Sequence, residues 1–154
     1  MNEGSVGAKE QPCVVRPPKP SDYERLAELS NQLGYASTAV QVRLRLETLH
    51  DTNQYGVFVA ELAGGRIAGF IGVYVFRAVE LDGFVEISGL VVDEEIRSAG
   101  IGRRLLEAGE AWARERGYDG ISVRSNVMRE RAHAFYERNG FRRGKTQATL
   151  TKQF

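Results

Sequence analysis

Apolar residues recur along the chain with two periods, and the changes from one period to the other mark out its elements. Leu26, Leu29 and Leu33 share one helical face, and Gly34 is suited to cap the C-terminus of that helix. Ser21-Asp22-Tyr23-Glu24 just ahead of it has the form of a capping box, with Ser21 accepting from first-turn amides and Glu24 reaching back. Val42, Leu46 and Leu49 predict a second helix from about Thr38 to Leu49. Tyr55 to Leu62 and Ile67 to Phe76 are rich in β-branched and aromatic residues, and Ala63-Gly64-Gly65-Arg66 between them predicts a hairpin. Phe84 to Val92 reads as a third long strand after a turn at Asp82-Gly83, with Glu86 and Ser88 interrupting its apolar run. Ile101, Leu105, Ala108 and Trp112 return to the helical period until Gly117. Tyr118 to Arg124 is a strand, Glu130 to Arg138 a short helix stopped by Asn139-Gly140, and Gln147 to Lys152 alternates as a final strand. Cys13 to Arg16 adds a short first strand, ended by Pro17, Pro18 and Pro20. The order is that of a mixed α+β domain with helices on both faces of one sheet. Residues 1–12 read as a loose lead-in and residues 13–154 as one domain.

Composition narrows the class. The chain has 154 residues, 42% hydrophobic and 27% charged, which is ordinary for a globular domain. The longest nearly apolar stretch, Gly69 to Phe76, is too short to cross a bilayer, so no membrane association is expected. The N-terminus has no apolar core of a secretory signal. The single cysteine, Cys13, and two histidines, His50 and His133, make an internal disulfide unavailable and a zinc site unexpected. A reducing, cytoplasmic setting follows. The net charge of +1 argues against a nucleic-acid binder, but it hides an asymmetry. Residues 1–96 carry 8 basic and 14 acidic side chains, a net of −6, whereas residues 97–154 carry 13 and 6, a net of +7. That split suits a fold that meets an anion with its C-terminal half and a cation with its N-terminal half.

The chemistry concentrates in Val91-Val92-Asp93-Glu94-Glu95-Ile96-Arg97-Ser98-Ala99-Gly100-Ile101-Gly102-Arg103. A strand runs into a glycine-bearing turn at the start of a long amphipathic helix. Gly100 and Gly102 let an anion approach the backbone, amides from Ser98 to Arg103 supply donors, and the helix macrodipole adds about +0.5 charge. Arg97 and Arg103 add full charges. A dinucleotide fingerprint is excluded because its third glycine position is Leu105. Gly144-Lys145-Thr146 is no P-loop either, since the required earlier glycine is Asn139.

Arg97-Ser98-Ala99-Gly100-Ile101-Gly102, between its strand and helix, resembles the coenzyme A motif of the GNAT superfamily of N-acetyltransferases. Downstream, Arg131-Ala132-His133-Ala134-Phe135-Tyr136-Glu137-Arg138-Asn139-Gly140-Phe141 resembles that family's A-x-x-x-Y-E-x-x-G-F signature. The resemblance covers nearly the whole of residues 13–154, which become a single acetyltransferase domain. It implies a central mixed, mostly antiparallel sheet of six to seven strands, and acetyl-CoA as donor. The implied function is direct transfer of acetyl to a primary amine of a small molecule or peptide in a ternary complex. Leu33-Gly34-Tyr35 and Lys145-Thr146-Gln147 are similar to segments of aminoglycoside 6′-N-acetyltransferase-like members.

The same resemblance implies roles for single residues. Backbone groups of Leu90, Val91 and Val92, on a strand splayed from its parallel neighbour, bind pantetheine and the acetyl carbonyl; one such oxyanion donor is worth roughly 3 kcal/mol of barrier. The pyrophosphate sits on Arg97, Ser98, Ala99, Gly100, Ile101, Gly102 and Arg103. Tyr136 matches the general acid that protonates the leaving thiolate, and Glu86 stands where some members carry the base that deprotonates the amine. Without the resemblance, Tyr136 reads as a core aromatic beside Phe135, and Glu86 as a solvent-facing strand residue or an ammonium anchor. The family's cofactor-contacting Asn is replaced by Arg129, and Asn126, three residues earlier, stands in for it. Glu47, Asp51, Glu80 and Asp82 are the acids placed to attract an amine. Members of the family often form homodimers, but these residues specify no two-fold patch. A non-catalytic acyl-CoA-binding sensor or partner module is the alternative, and it would need neither Tyr136 nor Glu86.

Overall fold

The computed structural model describes residues 10–50, 52–97 and 99–154, so Ser98, Asp51 and most of the lead-in lie outside it. The order is β1 (Cys13–Arg16), a 3-10 turn (Pro20–Asp22), α1 (Tyr23–Leu33), α2 (Ala39–His50), β2 (Tyr55–Leu62), β3 (Ile67–Ala78), β4 (Leu81–Val92), α3 (Ile101–Glu115), β5 (Ile121–Val123) and α4 (Glu130–Arg138). Two compact units make up the chain, Met1–Val123 and Arg124–Phe154.

In the first unit the strands follow one another across a single sheet, β1-β2-β3-β4-β5. All neighbours are antiparallel except β4 and β5, which are parallel and need the α3 crossover between them. Each face of the sheet carries helices. On one, Leu26, Ala27 and Leu29 of α1 and Val42 of α2 close a core with Val59, Ile67 and Val91. On the other, Gly109 of α3 lies against Ile71 and Val73, and the Trp112 indole covers Gly56. Arg116 stacks on Trp112 with its guanidinium 3.8 Å from the ring centroid. Among the described residues no helix is long and apolar enough to cross a membrane.

Local chemistry departs from the expected pattern at four places. The α1 entry is not capped by Ser21 and Glu24. Instead Asp22 accepts from the Lys19 amide (2.7 Å), and Arg16 grips it with two hydrogen bonds (2.7 and 3.1 Å) while reaching Glu61 at 2.5 Å. The capping box appears at α2, where the Gln41 amide donates to Thr38 Oγ1 (3.2 Å) and the Thr38 amide to Gln41 Oε1 (3.0 Å). The β3–β4 turn falls at Val79-Glu80, and Asp82-Gly83 lies inside β4. Between the Phe76–Phe84 and Ala78–Leu81 pairs β4 has one residue more than β3, and Gly83 takes that bulge with φ 98°. Finally, β5 is shorter than expected, because the Tyr118 amide is spent on the Ala113 carbonyl (3.1 Å) closing α3.

The second unit contains α4 and no strand among the described residues, so the sheet has five strands and not six or seven. Gln147–Lys152 alternates, but Leu150 is its only large apolar side chain and is 91% exposed. Alternation without a buried face does not fix a strand.

Candidate active site

Two neighbours of unequal length shape the middle of β4. Parallel pairing with β5 covers only Val85, Glu86 and Ile87, opposite Ile121, Ser122 and Val123. Pairing with β3 continues to Val92 opposite Gly69. From Ser88 to Val92 the β5-side edge of β4 therefore has no strand partner among the described residues. Leu90, Val91 and Val92 lie on this edge, as the splayed strand requires. The Val91 side chain is buried in the α1 core, which leaves the peptide groups as the chemistry this stretch can offer.

A β-bulge opens the unpaired stretch. Val73 faces Ile87 and Gly72 faces Gly89, leaving Ser88 as the extra residue. As a result Ser88 and Gly89 point to the same side, Ser88 Oγ over Gly72 and Gly89 toward Leu33 of α1. Glu86, on that side too, is 5% exposed, so the solvent-facing alternative does not hold. Tyr74 opposite it donates its hydroxyl to Glu86 Oε1 at 2.7 Å.

After Val92 the chain is held by a buried carboxylate. Asp93 is 2% exposed and accepts from Arg25, from Arg66 Nη2 (2.5 Å) and from the Glu95 amide (3.1 Å). Its own amide donates to the Ala68 carbonyl (2.7 Å). Burial alone would raise its pKa, but the Glu95 amide, Arg66, Gln32 and the charge of Arg25 together outweigh burial and hold it at about 2. Pattern reasoning missed Asp93, since nothing in Asp93-Glu94-Glu95 sets the first acid apart from the two exposed ones that follow. Its signal lies in the arginines at positions 25 and 66, distant in sequence.

This anchor precedes the loop expected to take an anion. Gly100 is the N-cap of α3 at φ 80°, a conformation that favours glycine, and among the described residues no side chain caps the helix there. Ile101 is buried in the core, so it can serve a ligand only through its amide. Ala99 and Gly102 are half-buried, and Arg97 and Arg103 are exposed, with Arg103 Nε 3.0 Å from Glu107. Ser98 lies outside the described residues. One contact was not foreseen: the Gln11 amide donates to the Ala99 carbonyl (2.9 Å), and Glu10 lies alongside Gly100.

The second unit carries Tyr136 and Asn126. Tyr136 lies near the end of α4, with its ring 5.2 Å from Phe135 and 5.1 Å from Phe141. Burial pushes its phenol up to about 12, with the charge of Arg129 opposing the rise. Asn126 is exposed and spends its side-chain oxygen on the Met128 amide (2.9 Å), which shapes the turn before α4. Of the acids expected to draw an amine, Glu47 is paired with Arg43 at 3.2 Å on the surface of α2, and Glu80 and Asp82 lie at and beside the exposed β3–β4 turn.

Comparison with known proteins bears on the family and the fold. Residues 23–141 match the sequence model of the acetyltransferase (GNAT) family. An aminoalkylphosphonate N-acetyltransferase of Salmonella typhimurium is 33% identical over 82 residues, 53% of this chain and 53% of that protein. The chain thus matches about half the length of that curated relative. Among solved structures, an aminoglycoside antibiotic 6′-N-acetyltransferase from Acinetobacter baumannii superposes with a TM-score of 0.80 at 16% identity, covering 93% of this chain and 99% of that one. Glucosamine-6-phosphate N-acetyltransferase from Arabidopsis thaliana superposes at 0.78 and 20% identity, covering 93% and 100%. With the family match running from α1 to just past α4, this chain belongs to the acetyltransferase (GNAT) family.

Proposed function

We propose that the protein transfers acetyl from acetyl-CoA directly to a primary amine within a ternary complex. The observation that carries this reading is the fork in the sheet: β4 loses β5 after Ile87 and then leads, through the Asp93 anchor, to the uncapped N-terminus of α3. An extended ligand arm laid along Leu90 to Val92 has backbone partners, and a pyrophosphate at Arg97 to Arg103 meets amides, a helix dipole and two guanidinium groups. The chain therefore fits the donor it is expected to take. Acetyl-CoA, when bound, supplies the activated acetyl group. Glu86 takes the proton that an incoming ammonium must lose before it attacks, and Tyr136 returns a proton to the departing sulfur. A phenol held near 12 keeps that proton throughout the working pH range, so it is available to donate toward the sulfur as charge develops there. Asn126 supports the cofactor through its side-chain amide nitrogen. The acceptor is a small-molecule or peptide amine. Aminoalkylphosphonates enter the candidate set because a relative is named for them, and aminoglycosides because a structural neighbour is.

Release of coenzyme A should be followed with aminoglycosides, aminoalkylphosphonates, polyamines, amino acids and lysine peptides. Turnover with one class, lowered about 10²-fold but still measurable in Glu86→Gln and Tyr136→Phe, is the expected result. Binding of acetyl-CoA with no turnover of any amine favours a sensor module, and no binding removes the donor assignment.

A further inference from the structure

A single rung crosses four strands at the level of Glu86. Tyr55 of β2 pairs with Tyr74 of β3, Tyr74 with Glu86 of β4, and Glu86 with Ser122 of β5. Members of one rung point to one side of a sheet, so both phenols and the carboxylate share a face. The two tyrosine rings stack at 5.7 Å with 11° between their planes. The Tyr74 hydroxyl donates to Glu86 Oε1 at 2.7 Å. Tyr55 is itself tied down: burial raises its pKa, and a hydrogen bond with the Ser88 side chain works in the opposite direction. Gly72 makes that last contact feasible, because a Cβ there would meet both Ser88 Oγ and the Tyr55 ring.

From this array we infer that Tyr74 is a positioning residue for Glu86, orienting its carboxylate for proton transfer, with Tyr55 and Ser88 as the backing that holds Tyr74 in place. The inference rests on the reading of Glu86 as the base that receives the amine proton. A carboxylate on a strand can rotate about its side-chain torsions, and only some rotamers present an oxygen to a nitrogen above the sheet. A short charge-assisted hydrogen bond from a ring clamped by stacking selects one of them. Tyr74 touches neither reactant in this assignment and acts through Glu86 alone.

A double-mutant cycle on the full chain separates this role from a structural one. Coenzyme A release is measured with the fastest acceptor among an aminoglycoside, an aminoalkylphosphonate, a polyamine and a lysine peptide. Tyr74→Phe keeps the ring and the stack and removes only the hydroxyl. It should lower kcat about tenfold, with KM for acetyl-CoA unchanged. In a Glu86→Gln background the same substitution should change kcat by less than about twofold, because the group it positions is gone. An equal loss in both backgrounds, or no loss in either, leaves Glu86 as base and overturns the role of Tyr74. Full turnover by Glu86→Gln removes the base assignment and this inference together. No turnover of any amine by the unsubstituted protein removes the transfer reaction on which both depend.

Discussion

Arg66, in the β2–β3 turn, holds the carboxylate of Asp93 at 2.5 Å across 27 residues of sequence. The first hairpin, helix α1 through Arg25, and the chain leading into the turn before α3 are thereby fastened at one buried charge.

That charge predicts an acid sensitivity. Asp93 is depressed from 3.8 to about 2, so its contribution is fully present above pH 4 and disappears as the pH falls through 2. The shift corresponds to about 2 kcal/mol. Asp93→Asn should be less stable than the parent at pH 7 in urea unfolding, and the gap should close between pH 4 and pH 2. A gap that is constant with pH would mean that shape, and not charge, is what Asp93 contributes.

Gly100→Ala places a side chain at φ 80° and within 3.2 Å of Glu10. Strain of about 1–2 kcal/mol is expected at the mouth of α3. Calorimetric titration should show acetyl-CoA binding weakened by about tenfold, with a small change in Tm.

Glu10 sets an acid beside the loop proposed to receive a pyrophosphate. Its charge opposes an incoming anion, so Glu10→Gln should bind acetyl-CoA several-fold more tightly in low salt, and the advantage should shrink as salt screens it. Equal affinities at low salt would show that the side chain moves clear at no electrostatic cost.

Tyr136→Phe should lower kcat by about 10²-fold, within the usual range for a lost general acid, and leave acetyl-CoA affinity unchanged. The parent phenol itself should stay protonated beyond the ordinary tyrosine range, so difference absorbance against Tyr136→Phe should show a titration near pH 12. Because the folded value is raised, whatever stability this group lends is present below pH 10 and fades as the pH climbs toward 12.

Much of the fold was legible because burial imposed a period. β2 and α4 begin and end where the pattern placed them, and α3 needed only its apolar stripe and Gly117. The tight turn into α3 was legible because glycines at 100 and 102 interrupt a strand-to-helix transition. What escaped was non-local. Asp-Gly at 82–83 has the same composition in a turn as in a bulge, and only the pairing with β3 decides between them. Likewise Tyr74, Ser88 and Asp93 gain their meaning from partners on other strands and helices, which no window along the chain contains.

The extra residue at Ser88 has one more consequence. Were Ser88 paired regularly and not bulged, strict alternation would turn Leu90 and Val92 toward α1 and put Val91 under α3, exchanging the two cores for every position from Gly89 onward. The bulge is a half-period phase shift between the part of β4 that carries the acid and the part that leads to the loop. Deleting residue 88 would therefore leave Glu86 and the residues from Gly89 onward on the faces they now hold and remove only the Ser88 side chain that backs Tyr55, so the two halves of one strand answer to separate packing constraints.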